Sequence, residues 1–232
     1  MLLPLALKAA LFSFLLFLAN SHWLFILLFI LVVSYLYFRP SLNASQFLFC
    51  FLVLVGASLL AVNLLGNWLM AVSLFFGFLF FLLLGVKNLI FVNRQPLYYI
   101  FNSFLLLVIF IYFFWAENFR LFFIRYLLLF FAVAFLFREF STFFIPGLPN
   151  SPKKRLIIYG TAFLVLQLVW AITLLPLSFL NAASLALLIA LILQDFISHH
   201  FSGTMSRKIV LRNATVFLIL SLVIFGASKW TP

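Results

Sequence analysis

Acidic side chains are almost missing from this chain: Glu117, Glu139 and Asp195 are the only three in 232 residues. Chemistry that relies on paired carboxylates, to hold divalent metals or to activate water, has little to draw on. There is no P-loop, no HExxH, no glutamate pair of a membrane CAAX-type protease and no Asp-rich repeat of a prenyl or phosphatidyl transferase. Cys50 is the single cysteine, which excludes an intramolecular disulfide and a Cys-rich metal site. Three histidines are too few for a His-rich di-iron oxidase, and His22 is expected about 30 Å from His199 and His200 across the hydrocarbon. Charge of any kind is scarce, at 7% of residues, where a soluble domain carries about 25%. A chain so composed cannot present a wettable surface, so lipid is the expected solvent for most of it.

What fills the sequence is apolar: 68% of residues are hydrophobic and the mean hydropathy is +1.35. A helix needs about 20 such residues to cross the hydrocarbon of a bilayer. Runs of about that length fall at 4–19, 22–38, 46–65, 67–86, 97–116, 120–138, 157–175, 179–198 and 209–228. The expected fold is therefore all-α: one polytopic transmembrane bundle over residues 1–232, with about nine spans and no soluble domain. The first two runs are short and share the tight Asn20-Ser21-His22 connection, so a re-entrant hairpin is the alternative there. Ala19-Asn20-Ser21 loosely fits a signal-peptidase site, and cleavage would leave eight spans. Lys8, however, lies within the apolar stretch rather than ahead of it, which favours a retained helix.

The net charge of +11 is distributed in a way that orients the threading. With the N-terminus cytoplasmic, Lys8, Arg39, Lys87, Arg94, Arg138, Lys153, Lys154, Arg155, Arg207, Lys208 and Arg212 fall inside. Arg120, Arg125 and Lys229 fall outside, together with the C-terminus. Eleven against three is the bias of the positive-inside rule. Basic residues standing at the ends of apolar runs suit anionic headgroups, and no nucleic-acid partner is expected.

Connections are short. The longest, about 139–156, is expected to be cytoplasmic, with Pro146, Pro149 and Pro152 stiffening it ahead of Lys153-Lys154-Arg155. That basic triplet, with Arg120 and Arg125 on the other side, is the expected contact with anionic lipid. Between Lys87 and Pro96, Leu89-Ile90-Phe91-Val92 reads as an interfacial segment. Neither sequon, Asn43-Ala-Ser45 nor Asn213-Ala-Thr215, is expected to be glycosylated, the first being cytoplasmic and the second helical.

The eighth segment is the most structured piece of sequence. Ser178, Ala182, Ala186 and Ala190 recur every four residues and predict a packing face for another helix, in this chain or in a partner membrane protein. At its inner end, Asp195, His199 and Ser202 share one face, so that carboxylate, imidazole and hydroxyl follow in a row. Three readings follow. Asp195 could orient His199 as a base on Ser202 or water. Asp195 with His199 or His200 could ligate a metal. The favoured reading is a helix end, with histidines at the negative end of the dipole and Gly203 as a left-handed cap. On the outer side Glu117, Arg120 and Arg125 form either a snorkelling ion pair or a pocket for an anionic headgroup. Gln167, Asn63 and Asn102 are the amides within hydrocarbon, expected to hydrogen-bond to neighbouring helices.

Together these point to a non-enzymatic multi-pass membrane protein, a structural, assembly or transport-associated subunit, and no cofactor is implied. A bacterial cytoplasmic membrane is the expected location, from the compact connections. Two other readings compete: a lipid-processing or lipid-translocating protein built on Asp195, His199 and His200 or on Glu117, Arg120 and Arg125, and a passive channel lined by the three amides.

Overall fold

The computed structural model describes residues 2–39, 47–64, 68–88, 90, 93–115, 122–144 and 152–227. Among them every regular element is an α-helix: α1 (Leu2–Ala19), α2 (Trp23–Phe38), α3 (Leu48–Leu64), α4 (Leu69–Lys87), α5 (Arg94–Trp115), α6 (Phe122–Phe144), α7 (Pro152–Thr173), α8 (Phe179–Phe201) and α9 (Arg207–Ala227). In hydrocarbon a helix is what lets the backbone satisfy its own polar groups. Six helices, α4 to α9, are long and apolar enough to cross a membrane, whereas α1, α2 and α3 are shorter.

Helix ends move by a few residues from the apolar runs, and polar residues account for the shifts. A run ends where the hydrophobic residues end, but the backbone ladder continues. Thus α6 carries Arg138 and Glu139 inside it and stops only at Phe144. Likewise α7 begins at Pro152, the first helical position, where a missing N–H costs nothing. The basic triplet therefore lies in the first turn of α7 rather than in a connection, and the expected 139–156 loop is shorter than its run boundaries implied. Pro146 and Pro149, the sequon at Asn43 and most of the Leu89-to-Val92 segment lie outside the described residues.

The chain divides into two compact units, residues 1–105 and 106–232, with the boundary inside α5. In the first unit α1 packs against α2, α3 and α4. The Phe12 ring marks the junction, stacking on Phe80 at 4.6 Å and meeting Phe29 edge-on at 5.1 Å. Gly77 lets α4 come close to α1: a Cβ there would run into Ser13 Oγ and come within 3.2 Å of the Ala9 carbonyl oxygen. Tyr37 stacks on Phe51 at 4.1 Å, and Cys50 Sγ lies 3.4 Å from Tyr98 Oη, both residues fully buried.

In the second unit α6, α7, α8 and α9 pack in succession, and α6 also meets α8. Pro176 ends the turn after α7 because it has no N–H to donate. The Trp115 ring stacks on Phe179 at 5.8 Å. Only 6% of the apolar window of α9 is buried, so its outer surface of Leu211, Leu218, Leu222 and Val223 is left for lipid.

Several hydroxyls inside the helices are satisfied locally, whereas those of Ser73 and Ser221 are buried with no partner among the described residues. Ser13, Ser103, Ser141, Thr142, Thr161 and Thr215 each donate to the carbonyl four residues earlier. A hydroxyl whose O–H is tied to its own helix needs no acceptor on a neighbouring helix.

Candidate functional site

A cluster of polar residues in the second unit forms where α8 turns into α9. Helix α8 ends at Phe201, with Ser202 as its C-cap and Gly203 at φ 65°. The Gly203 N–H donates to the His200 carbonyl at 3.2 Å and the Thr204 N–H to the His199 carbonyl at 3.1 Å. This pair of bonds is a Schellman cap, and glycine takes the left-handed position because it has no Cβ to clash. The cap places Thr204 beside His199, and Thr204 Oγ1 lies 2.8 Å from His199 Nδ1. Ser206 then opens α9: its carbonyl accepts from Ile209 and Val210, and its hydroxyl from the Ile209 N–H at 3.4 Å.

The tight turn sets α8 and α9 side by side in register. Asp195 Oδ2 accepts from Asn213 Nδ2 at 2.7 Å and from Arg212 at 3.0 Å, and its Oδ1 lies 3.5 Å from His199 Nε2. Carboxylate, imidazole and hydroxyl thus stand in sequence, Asp195 to His199 to Thr204. The side chains are only partly covered, at 32% exposure for Asp195, 28% for His199 and 59% for Arg212. Asn213 by contrast is buried, at 7%. Gln194, one residue before Asp195, is fully buried, and no described residue bonds its amide.

The arrangement alters the expected roles. Ser202 is exposed at the cap, and the hydroxyl at the histidine is Thr204 instead. His200 is exposed and turned to Phe201, with ring centroids 5.7 Å apart, and does not join Asp195. Among the described residues no three His, Cys, Asp or Glu side chains gather as a metal site would need. The reason is helical geometry: residues five apart lie well round the helix from one another, while residues four apart share a face.

Arg212 and Asn213 were the residues that sequence reasoning missed. A hairpin folding about Gly203 and Thr204 pairs position 195 with 211 to 213, so reflecting the sequence through the cap glycine would have found them. From the sequence alone Asn213 belongs only to an unused sequon. In the structure its amide donates a hydrogen bond to the Asp195 carboxylate, whose charge Arg212 balances.

Ala182, Ala186 and Ala190 are buried at 3%, 1% and 0%, and α8 packs against α6, α7 and α9 of its own unit. Ser178 does not extend that stripe, because it is the exposed residue that precedes α8. Lys153 and Arg155 are exposed, whereas Lys154 is buried at 3%. Arg125 lies in the first turn of α6, donates to the Phe113 carbonyl and sits 4.1 Å from that ring's centroid. Glu117 and Arg120 lie outside the described residues, as does the side chain of Asn63.

The amides also depart from expectation. Asn102 is fully buried, yet no described residue bonds either atom of its amide. Gln167 lies on the exposed side of α7.

No family model matches the chain, and no curated protein or solved structure shows significant similarity to it.

Proposed function

We propose that this chain is a multi-pass integral membrane protein with a non-enzymatic, structural or assembly role in a bacterial cytoplasmic membrane. The observation that carries the reading is the state of Asp195. It is the most chemically promising carboxylate in the sequence, and it is engaged by Arg212 and Asn213 across two helices. An acid near a membrane boundary is costly unless paired or used, and here it is paired. Its work is to clasp α8 to α9.

The threading that fits this role is nine crossings, with the N-terminus cytoplasmic and the C-terminus outside. The charge distribution supports it, as does the packing of α1 against three other helices, which makes α1 part of the first unit. Helices as short as α2, at 16 residues, would span with local thinning of the bilayer. Reporter fusions at residue 153 are expected to report a cytoplasmic position, and fusions at residue 232 an external one.

A second reading is favoured by one observation, the order Asp195, His199, Thr204, which is the order a hydroxyl nucleophile and its base would need. Lipid processing at the inner leaflet would follow. Purified protein incubated with a total lipid extract separates the two. Under the structural reading, wild type and His199→Ala leave the lipid composition equally unchanged. A lipid product formed by wild type and lost in His199→Ala would replace it with the second reading.

A further inference from the structure

On α7 a polar side chain, Gln167, lies outside both the clasp and the core. The buried face of that helix is Ile158, Ala162, Val165, Val169 and Ile172, none more than 4% exposed, and it packs with α6 and α8. Two residues on, about 200° around the helix, runs a stripe of Gly160, Leu164, Gln167, Ala171 and Leu174, all exposed. Gln167 is the polar member. It lies twelve residues from Arg155, about 18 Å along the axis, which is deep in the hydrocarbon if α7 crosses the bilayer. No described group bonds its amide.

An unpaired amide facing acyl chains is expensive. The hydroxyls nearby avoid that cost by bonding to their own helix, as Thr161 does to the Ile157 carbonyl at 2.7 Å. A glutamine amide carries two donors as well as an acceptor, so a single backbone carbonyl cannot satisfy it. The apolar outer face of α9 poses no such demand, and lipid suffices there.

We propose that this stripe is a dimer interface whose partner is a second copy of the chain, with the two Gln167 amides bonded to each other across a two-fold axis. The chemistry selects a second copy because a primary amide is self-complementary: donor and acceptor on one side chain meet acceptor and donor on its symmetry mate. Gly160 and Gln167 are seven apart, and Leu174 follows after seven more in the turn beyond α7, the period of a left-handed helix crossing, so contact continues from Gly160 to the end of the helix. Gly160 has open space where a side chain would stand and Ala171 is small, which lets the two backbones approach.

The inference rests on α7 being a membrane span, and the test separates the two. In a Cys50→Ser background, Leu164→Cys and Ala171→Cys keep Gln167 in place on the stripe, while Val165→Cys sits on the buried face. Oxidation in native membranes is expected to give covalent dimers of this chain at 164 and 171 and none at 165. Adding Gln167→Leu should weaken the dimer by about ten-fold or more, read by energy transfer on dilution in lipid, while Gln167→Asn retains part of it. A protein that needs detergent for extraction but stays monomeric at every protein-to-lipid ratio would overturn the dimer and leave the membrane reading intact. Unchanged dimerisation in Gln167→Leu, or cross-linking at 164 to a different chain, would overturn it equally. Release by alkaline carbonate without detergent would overturn the membrane reading and the dimer with it.

Discussion

Lys87 donates from its ammonium to the carbonyl of Tyr37 and lies 3.5 Å from the centroid of the same residue's ring. Tyr37 is the penultimate residue of α2, so that carbonyl is one of the four at a helix end with no intrahelical partner. The cation also sits at the negative end of the α2 dipole. The second unit repeats the device: Arg125 donates to the Phe113 carbonyl, in the last turn of α5, and lies over the Phe113 ring. The sequence places Lys87 among the cytoplasmic charges and Arg125 among the expected contacts with anionic lipid. In the structure each also reaches the end of a neighbouring helix, where a carbonyl facing hydrocarbon would be costly.

Replacing Lys87 by Met keeps much of its length and removes the charge. The expected loss is about 2 kcal/mol, combining a charge-assisted hydrogen bond with a cation–π contact. It should appear as a lower unfolding midpoint in detergent micelles. Tyr37→Leu retains the carbonyl and should lose less at this contact, although it also removes the stacking on Phe51. An unchanged midpoint in Lys87→Met would show that the ammonium contributes nothing to holding α2.

Gly77 predicts a suppressor. Gly77→Ala drives a Cβ into Ser13 Oγ and against the Ala9 carbonyl, with an expected cost of about 1–3 kcal/mol for overpacking. Ser13→Gly removes both side-chain atoms that crowd the new methyl and should recover part of that loss when combined with Gly77→Ala. The double variant melting no higher than Gly77→Ala alone would place the clash elsewhere.

How much of this was legible beforehand depends on what the bilayer makes visible. The helices were legible, because a run of apolar residues broken by Lys87, Pro152 or Asn20-Ser21 reports where the chain leaves hydrocarbon. Which face of a helix points inward was not. In α1 the buried Phe12 and Leu16 and the exposed Phe14 and Phe17 are all apolar, since lipid removes the contrast that marks a core-facing stripe in water. The αL cap at Gly203 was legible because only that residue has the backbone freedom the turn requires. The partners of Asp195 were hidden because they lie beyond that turn, at Arg212 and Asn213, where pairing is set by hairpin register rather than by spacing on one helix.

That register makes the last prediction. Asp195→Asn removes the charge but keeps the shape, leaving Arg212 without its counter-ion and Asn213 facing an amide. Arg212 is more than half exposed, so its share of the ion pair is screened and worth at most about 1 kcal/mol. The Asn213 bond is the more sheltered, and its loss should dominate. A double-mutant cycle can separate them: Asp195→Ala with Arg212→Ala should show a small coupling, and Asp195→Ala with Asn213→Ala a larger one, both read from unfolding midpoints in micelles. If the clasp is structural, exchanging the charges as Asp195→Arg with Arg212→Asp should restore part of the stability lost by either change alone. Destabilisation that is additive in both cycles would mean that α8 and α9 are held by their apolar faces, and that Asp195 is free for some other use.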